Sequence, residues 1–426
     1  MNKINARPSE RSIYIWNIVG SMTNAFMSML ILAIVTRILD NQETDIFSIA
    51  WSISQLMATI GTFQIRTYQA TDVAEKYKFN QYFIFRCVTV FAMIFTSILY
   101  IVGKKYSFYK SAIVLIICLF RAVDSLADVY EGFFQQKERL DLSGKVLTYR
   151  IIVAMLCFSG TLIVSQNLLI SSLSLLAAYC VCFFIFDIRY IRSVDILKNR
   201  TRGQIKKKGW LKGLLLEGFP LFVNAYLMMS INNEPKMVID RAIEQKWMEA
   251  GTQTAFNILF MPASVLMLVY IVFRPLLTQM AIVWSKKEKK AFLQIIIKML
   301  SCLIAVACII LLGSAILGIP VLSLFYGIDL SKYKVHLLVV ILGGCFCTLS
   351  YVFDNALVVI RKQYLLVTAY IITWVYVKVI SNLLIKKAGM LGAVSLYTSS
   401  MVIFACVTVV IFIICFKKEE SKVEKE

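Results

Sequence analysis

The chain has 426 residues, of which 59% are hydrophobic and only 16% charged, and its mean hydropathy is +0.75. That balance excludes an ordinary soluble domain, in which about a quarter of the residues are charged. The formal net charge of +20 would point to nucleic acid in a soluble protein. In so apolar a chain the positions of the basic residues carry the meaning instead, and no nucleic-acid partner is expected.

A bilayer core about 30 Å thick takes roughly 20 apolar residues per helix. Runs of that kind fall at 12–36, 44–65, 81–103, 111–135, 146–166, 169–190, 210–231, 250–276, 291–318, 335–360, 364–385 and 389–416. They predict an all-α polytopic membrane protein with twelve transmembrane helices. The first run is too long for a signal-peptide core and no small-residue cleavage site follows it, so it is expected to be retained.

Basic residues crowd alternate connections: Lys3, Arg7 and Arg11; Arg66, Lys76 and Lys78; Lys137, Arg139 and Lys145; the stretch from Arg189 to Lys212; SKKEKK at 285–290; Arg361 and Lys362; and the tail KKEESKVEKE. By the positive-inside rule both termini are expected in the cytoplasm, with the protein multi-pass in the cell membrane. RSVDILKNRTRGQIKKKGW at 192–210 divides the chain nearly in half. It predicts a cytoplasmic linker, 195–209, between six-helix lobes at 1–194 and 210–416, followed by a charged tail, 417–426. Six spans per lobe start both lobes on the same side, so a repeat would be parallel. TNAFMSM at 23–29 has an echo in VNAYLMM at 223–229.

The largest outer connection is expected at 232–249, with Lys236, Arg241 and Lys246 in it. No loop is long enough for a soluble domain, and Pro262 and Pro275 should kink or break the eighth span. The eleven cysteines all fall in spans without a C-x-x-C pair, as small apolar packing residues do. The chain has no phosphate-binding loop, no nucleophile elbow and no His/Cys cluster, so neither enzyme activity, nor a cofactor, nor direct use of ATP is expected.

The fourth run breaks its own apolar pattern. LFRAVDSLADVYEGFF at 119–134 carries Arg121, Asp124, Asp128 and Glu131, spaced to share one face of a helix. Each charge near mid-bilayer costs on the order of 2.5–3.5 kcal/mol, so the stripe must face protein or water. An ion-pair seam with a neighbouring helix is one reading. The three-to-one excess of acid over base favours the other, a hydrated path in which Asp124, Asp128, Glu131 and, in the second lobe, Asp354 are candidate sites for a coupling proton or sodium ion. Candidate partner cations are Arg86, Arg150, Arg274 and Lys378, while Arg37 and Arg66 mark opposite ends of the first two spans, where snorkelling is the ordinary role. Glu217 and Asn224 share a face of the seventh span, Asp354 neighbours Asn355 in the tenth, and Lys378 stands one turn from Asn382 in the eleventh. Buried cations beside amides and carboxylates suit a ligand with both phosphate and sugar hydroxyls.

Several stretches are similar to one known family. VTRILDNQETDIFSIA (35–50), FQIRTYQATDVAEKY (63–77), EGFFQQKERLDLSGK (131–145), GFPLFVNAYLMMSINNEPKMVID (218–240) and FNILFMPASVLMLVYIVFRPLL (256–277) resemble the polysaccharide-transporter branch of the multidrug, oligosaccharidyl-lipid and polysaccharide (MOP) flippase superfamily. The likeness runs over nearly the whole chain and rests on no catalytic motif. It implies two six-helix bundles around a cationic cavity that move a lipid-linked glycan from the inner to the outer leaflet by alternating access, driven by an ion gradient. The implied cargo is an undecaprenyl-diphosphate-linked oligosaccharide for capsule, O-antigen or teichoic-acid assembly, and the implied partners are a glycan polymerase or glycosyltransferases in loose association. Arg37 matches the family's arginine closing the first helix, Arg66 the one after the second, and Asp240 the acid after the Pro-Lys pair. With Arg121, Arg150, Glu217, Asn224, Arg274 and Lys378 these form the expected substrate cavity, from whose uniformly cationic character the acidic fourth span departs.

Three other classes fit less well. A major facilitator transporter would carry G-x-x-x-D-[RK]-x-G-[RK]-[RK] between spans two and three, where this chain reads RTYQATDVAEKYKFNQ. An ion-coupled drug exporter of the same superfamily is the nearer alternative, and a membrane glycan polymerase would need a large outer loop.

Overall fold

A computed structural model describes residues 8–72, 75–193, 209–269 and 274–423. Described residues form helices and no strands. The first helices are α1 (Glu10–Ile38), α2 (Asn41–Thr62), α3 (Ile65–Thr71), α4 (Phe79–Lys104), α5 (Phe108–Gln136), α6 (Leu140–Ser165) and α7 (Leu168–Cys182). A π-helical turn, Phe183–Ile188, joins α7 to α8 (Arg189–Ser193). Then come α9 (Trp210–Glu244), α10 (Thr252–Val269), α11 (Arg274–Ser285) and α12 (Lys289–Gly313). A second π turn, Ser314–Gly318, leads to α13 (Ile319–Tyr326), followed by α14 (Lys334–Val359) and α15 (Leu366–Val423).

These elements account for all twelve expected spans. Eight described helices are long and apolar enough to cross a membrane, and α2 with α3, bent by 42°, makes a ninth. The fourth span, α5, is apolar apart from its charged stripe. Of the eighth, α10 and α11 are described, with Pro262 inside the first and Pro275 in the first turn of the second, and residues 270–273 lie outside the described residues. At 58 residues α15 is far too long for one crossing, and Gly389, at φ 55°, kinks it between spans eleven and twelve. Apolar side chains stand on the outside of the bundle, as lipid requires: Phe91, Phe95 and Leu99 form an exposed stripe along α4, and Ile297 and Ile304 do so on α12.

The seventh span is longer than its hydropathy suggests. Helix α9 continues to Glu244, so Lys236 and Arg241 lie within it and the expected outer connection 232–249 shrinks to residues 245–251. The cause is burial: from Ser230 to Asp240 the helix is enclosed almost all round by protein, which lets it carry Glu234, Lys236 and Asp240 where lipid would not.

The chain forms two compact units, Met1–Met229 and Ser230–Glu426. The division falls inside α9, about twenty residues past the linker expected at 195–209, most of which lies outside the described residues. The first half of α9 packs on the first unit: Leu214 joins its core and the rings of Phe222 and Phe63 stack 4.5 Å apart.

Close backbone approach holds α1 against α6. A Cβ on Gly144 would lie 2.0 Å from the Trp16 carbonyl oxygen, and one on Gly20 would lie 2.9 Å from Gly144 Cα. Gly160, on the same helix as Gly144, has open space instead. Gly144→Val should therefore cost about 1–3 kcal/mol or more by forcing α1 and α6 apart. Gly160→Val should leave thermal stability in detergent unchanged, and equal loss in both variants would refute the packing argument.

Candidate functional site

The fourth-span stripe meets its partners in the first unit. Helix α2 ends where Phe63 and Gln64 take left-handed backbone, at φ 45° and 51°. The chain turns there, and the next helix begins by placing Arg66 against α5. Arg66 Nη1 donates to Asp128 Oδ1 (3.2 Å) and Glu131 Oε2 (2.8 Å). Gly132 makes room: a Cβ there would be 2.5 Å from Gln69 Oε1 and 3.2 Å from Arg66 Cγ. Gln69 in turn donates to the Val129 carbonyl at 3.1 Å, fixing α3 on α5.

The break at residue 63 also leaves carbonyls at the end of α2 without helical donors. Arg86, from α4, donates to one of them, the Gly61 oxygen (2.9 Å), and through its other terminal nitrogen to Asp128 Oδ2 (2.6 Å). Thr89 donates to the same carbonyl at 2.7 Å.

Deeper in the bundle lies Arg150 of α6. Its Nη1 reaches both oxygens of Asp187 (2.9 and 2.8 Å), while Nη2 donates to Glu131 Oε1 at 2.5 Å and lies 3.6 Å from Asp124. Asp187 comes from the π-helical turn after α7, whose extra residue turns the acid inward from a span that is otherwise apolar. Tyr179 donates to Asp124 Oδ1 (2.5 Å), and Arg121 pairs with Asp124 Oδ2 (3.3 Å) while its guanidinium lies 4.6 Å over the Trp51 ring.

The stripe thus has no acid surplus. Arg66, Arg86, Arg121 and Arg150 face Asp124, Asp128, Glu131 and Asp187, four charges of each sign. Nor is the network uniformly dry. Side chains of Arg86, Arg150 and Asp187 are 0% exposed, whereas Arg66 is 31%, Asp124 27% and Asp128 20% exposed. One end of it is fully buried and the other, at Arg66, Asp124 and Asp128, is partly exposed.

The other expected site residues fall elsewhere. Arg37 is exposed in the last turn of α1. The 22 residues of α2, at 1.5 Å each, put about 33 Å between that end and Arg66. Glu217 pairs with Lys76 at 2.5 Å near the start of α9, and this hydrogen bond holds the Lys76 ammonium above the usual lysine range. Asn224 has a buried, unpartnered Oδ1. Arg274 opens α11, and its side chain lies outside the described residues.

In the second unit, α9 and the first part of α15 form a polar ladder. Trp374 Nε1 donates to Ser230 Oγ (3.0 Å), Lys378 pairs with Glu234, and Arg241 donates to Asn382 Oδ1 (3.2 Å). Asp240 is buried further along α9. Asp354, in α14, is buried with Oδ1 unpartnered.

Helices of this number and apolarity, with a charge-balanced network buried in the first unit, define an all-α multi-pass membrane protein. The comparisons agree. The fold matches an inward-facing multidrug resistance MATE family transporter of the MOP superfamily (10% identity, 95% of this chain and 99% of that one, TM-score 0.69) and the lipid II flippase MurJ in an inward closed conformation (14%, 94% and 89%, TM-score 0.67). In sequence the chain is 22% identical over 384 residues to the capsular polysaccharide biosynthesis protein CapF of Staphylococcus aureus, covering 90% of this chain and 94% of that one. The family model described as polysaccharide biosynthesis protein matches residues 13–281, and the chain belongs to that family.

Proposed function

We propose that this protein moves a polyprenyl-diphosphate-linked oligosaccharide from the inner to the outer leaflet of the cell membrane by alternating access, for cell-surface polysaccharide assembly. The observation that carries the reading is the partly exposed edge of the first-unit network. There Arg66 is held by two carboxylates and the Arg121 guanidinium lies over the Trp51 ring. A guanidinium fork matches diphosphate oxygens, and Asp124 and Asp128 can accept from sugar hydroxyls. Because the resting network is neutral, a diphosphate taking Arg66 displaces Asp128 and Glu131. Asp128 keeps Arg86 and Glu131 keeps Arg150, but the network is left one positive charge short, and a proton or a sodium ion taken up at Asp128 or Glu131 restores the balance and links cargo entry to an ion gradient. Family membership and the similarity to CapF support the pathway, and the absence of any catalytic motif fits transport.

The test is a strain lacking this gene and carrying the chain on a plasmid. Polyprenyl-linked oligosaccharide should accumulate on the inner leaflet without the chain and disappear when it is restored, while export of lipophilic cations stays the same in both. Restored cation export with no change in the glycan pool would favour the drug-exporter reading.

A further inference from the structure

Helix α9 runs without a break through the boundary between the compact units, which falls at Met229 and Ser230. Its first half touches the first unit along one narrow strip. Leu214 enters the core there, and the Phe222 ring stacks on Phe63. Two glycines allow the approach: a Cβ on Gly213 would lie 2.6 Å from the Tyr77 hydroxyl, and one on Gly218 3.1 Å from Ile65 and Phe63. On its other sides Leu211, Leu215, Leu216, Phe219 and Leu221 are exposed. Of the most apolar stretch of α9 only 22% is buried, against 39% in α4 and α6, so the hold is slight.

The surface beneath the strip is firmly built. Asp72 closes the loop after α3: its Oδ1 accepts from the Lys76 N–H (2.8 Å), and its Oδ2 from the Tyr77 N–H (3.0 Å) and the Tyr82 hydroxyl (2.8 Å). Gln136 of α5 donates to the Asp72 carbonyl at 2.6 Å. This bracing fixes the backbone of Lys76, whose ammonium reaches Glu217 Oε1 at 2.5 Å. The pair itself is loose. Its side chains are 49% and 28% exposed, a range in which ion pairs contribute little and salt screens them, and Glu217 Oε2 has no donor.

Two prolines weaken α9 on either side of the boundary. Pro220 and Pro235 have no N–H to offer, which leaves the Leu216 and Ile231 carbonyls without their helical donors. We propose that Trp210–Phe222 is a releasable strap, caught on the first unit by Lys76 and Glu217 and let go once in each transport cycle. A contact that opens every cycle must be weak. The Lys76 pair and one ring stack meet that need, whereas a buried seam such as Arg150 with Asp187 does not. Only the strap's place in a cycle rests on the flippase reading; its docking does not.

Hydrogen exchange of the purified full chain in lipid nanodiscs reads the docking at the amides of residues 214–219. The segment ahead of Pro220 is shorter than the roughly 12–15 residues an isolated helix needs, so it frays when undocked. Glu217→Gln and Lys76→Gln should each speed exchange there severalfold, with the amides of α5 protected as in the parent. Lys76→Glu combined with Glu217→Lys should return the parent rate. Raising salt from about 0.05 to about 0.5 M should speed exchange in the parent and not in Glu217→Gln. Unchanged exchange in both single variants would overturn the strap, as would a rise that spreads to α5 with a lower thermal midpoint, the mark of an ordinary structural contact. In proteoliposomes Glu217→Gln should slow cargo movement at least about twofold and the charge swap should restore it, which a direct cargo contact at Glu217 would not allow. Faster exchange with unaltered cargo movement would overturn the strap's place in the cycle. A parent that moves no cargo would overturn the flippase reading and leave the exchange result standing.

Discussion

Arg150→Ala is expected to remove most of the folded protein from the membrane. The residue is wholly buried and joins three carboxylates from two elements, Asp187 of the π turn and Glu131 and Asp124 of α5. Its removal leaves Asp187 with no cation in reach and Glu131 with Arg66 alone. Breaking a buried pair in this way costs about 3–5 kcal/mol, a large share of the roughly 5–15 kcal/mol that holds a domain together. Arg150→Lys should recover only part of the loss, because an ammonium cannot reproduce a fork shared between Asp187 and Glu131. The double variant Arg150→Met with Asp187→Leu should be more stable than Arg150→Ala, since it removes the stranded charge. Thermal midpoints in detergent and membrane abundance check both statements. Wild-type abundance of Arg150→Ala would show that the seam does not hold the first unit together.

Arg66→Ala is expected to do the opposite, sparing the fold and abolishing transport. Arg66 is the most exposed member of the network and Glu131 keeps Arg150 when it is lost, just as Asp128 keeps Arg86. Charge-assisted hydrogen bonds to one diphosphate are worth about 1.5–3 kcal/mol each, so losing the guanidinium should slow cargo movement by at least about tenfold. Membrane level should stay near that of the parent. Arg66→Lys should be intermediate, keeping the charge and losing the fork. A fully active Arg66→Ala variant would remove this edge of the network from the mechanism.

The contrast between these arginines shows how far a sequence can be read. The twelve spans follow from apolar run length, and the stripe on α5 from residues at three, four and three, so both were legible. Arg86 and Arg150 could be named as partners because isolated cations in apolar runs need counter-charges. Arg66 looked like an interfacial residue because its approach depends on two non-glycine residues, Phe63 and Gln64, in left-handed backbone, which leaves no mark on composition. Asp187 was missed because a π turn shifts its face and periodicity arguments assume a regular helix. The lone acid in FFIFDI was the available signal. Glu234 and Lys236 were read as loop residues because charges beside Pro235 resemble the end of a span. Only burial all round reveals a helix that continues.

The acid excess that pointed to a hydrated path dissolves once Arg66, Arg86, Arg150 and Asp187 are in place. What remains is a gradient from a fully buried seam to a partly exposed edge along one helix face, and it is this edge that the proposed function assigns to the cargo.

The most direct measurement uses proteoliposomes holding the purified protein and a polyprenyl-diphosphate-linked oligosaccharide, with an impermeant glycosidase outside. If the protein flips this cargo, the enzyme should digest about half of the glycan in empty liposomes and nearly all of it with the parent protein. Arg66→Ala should return the digest to the empty-liposome level. Equal digestion with and without the parent protein, or full digestion with Arg66→Ala, would contradict the account.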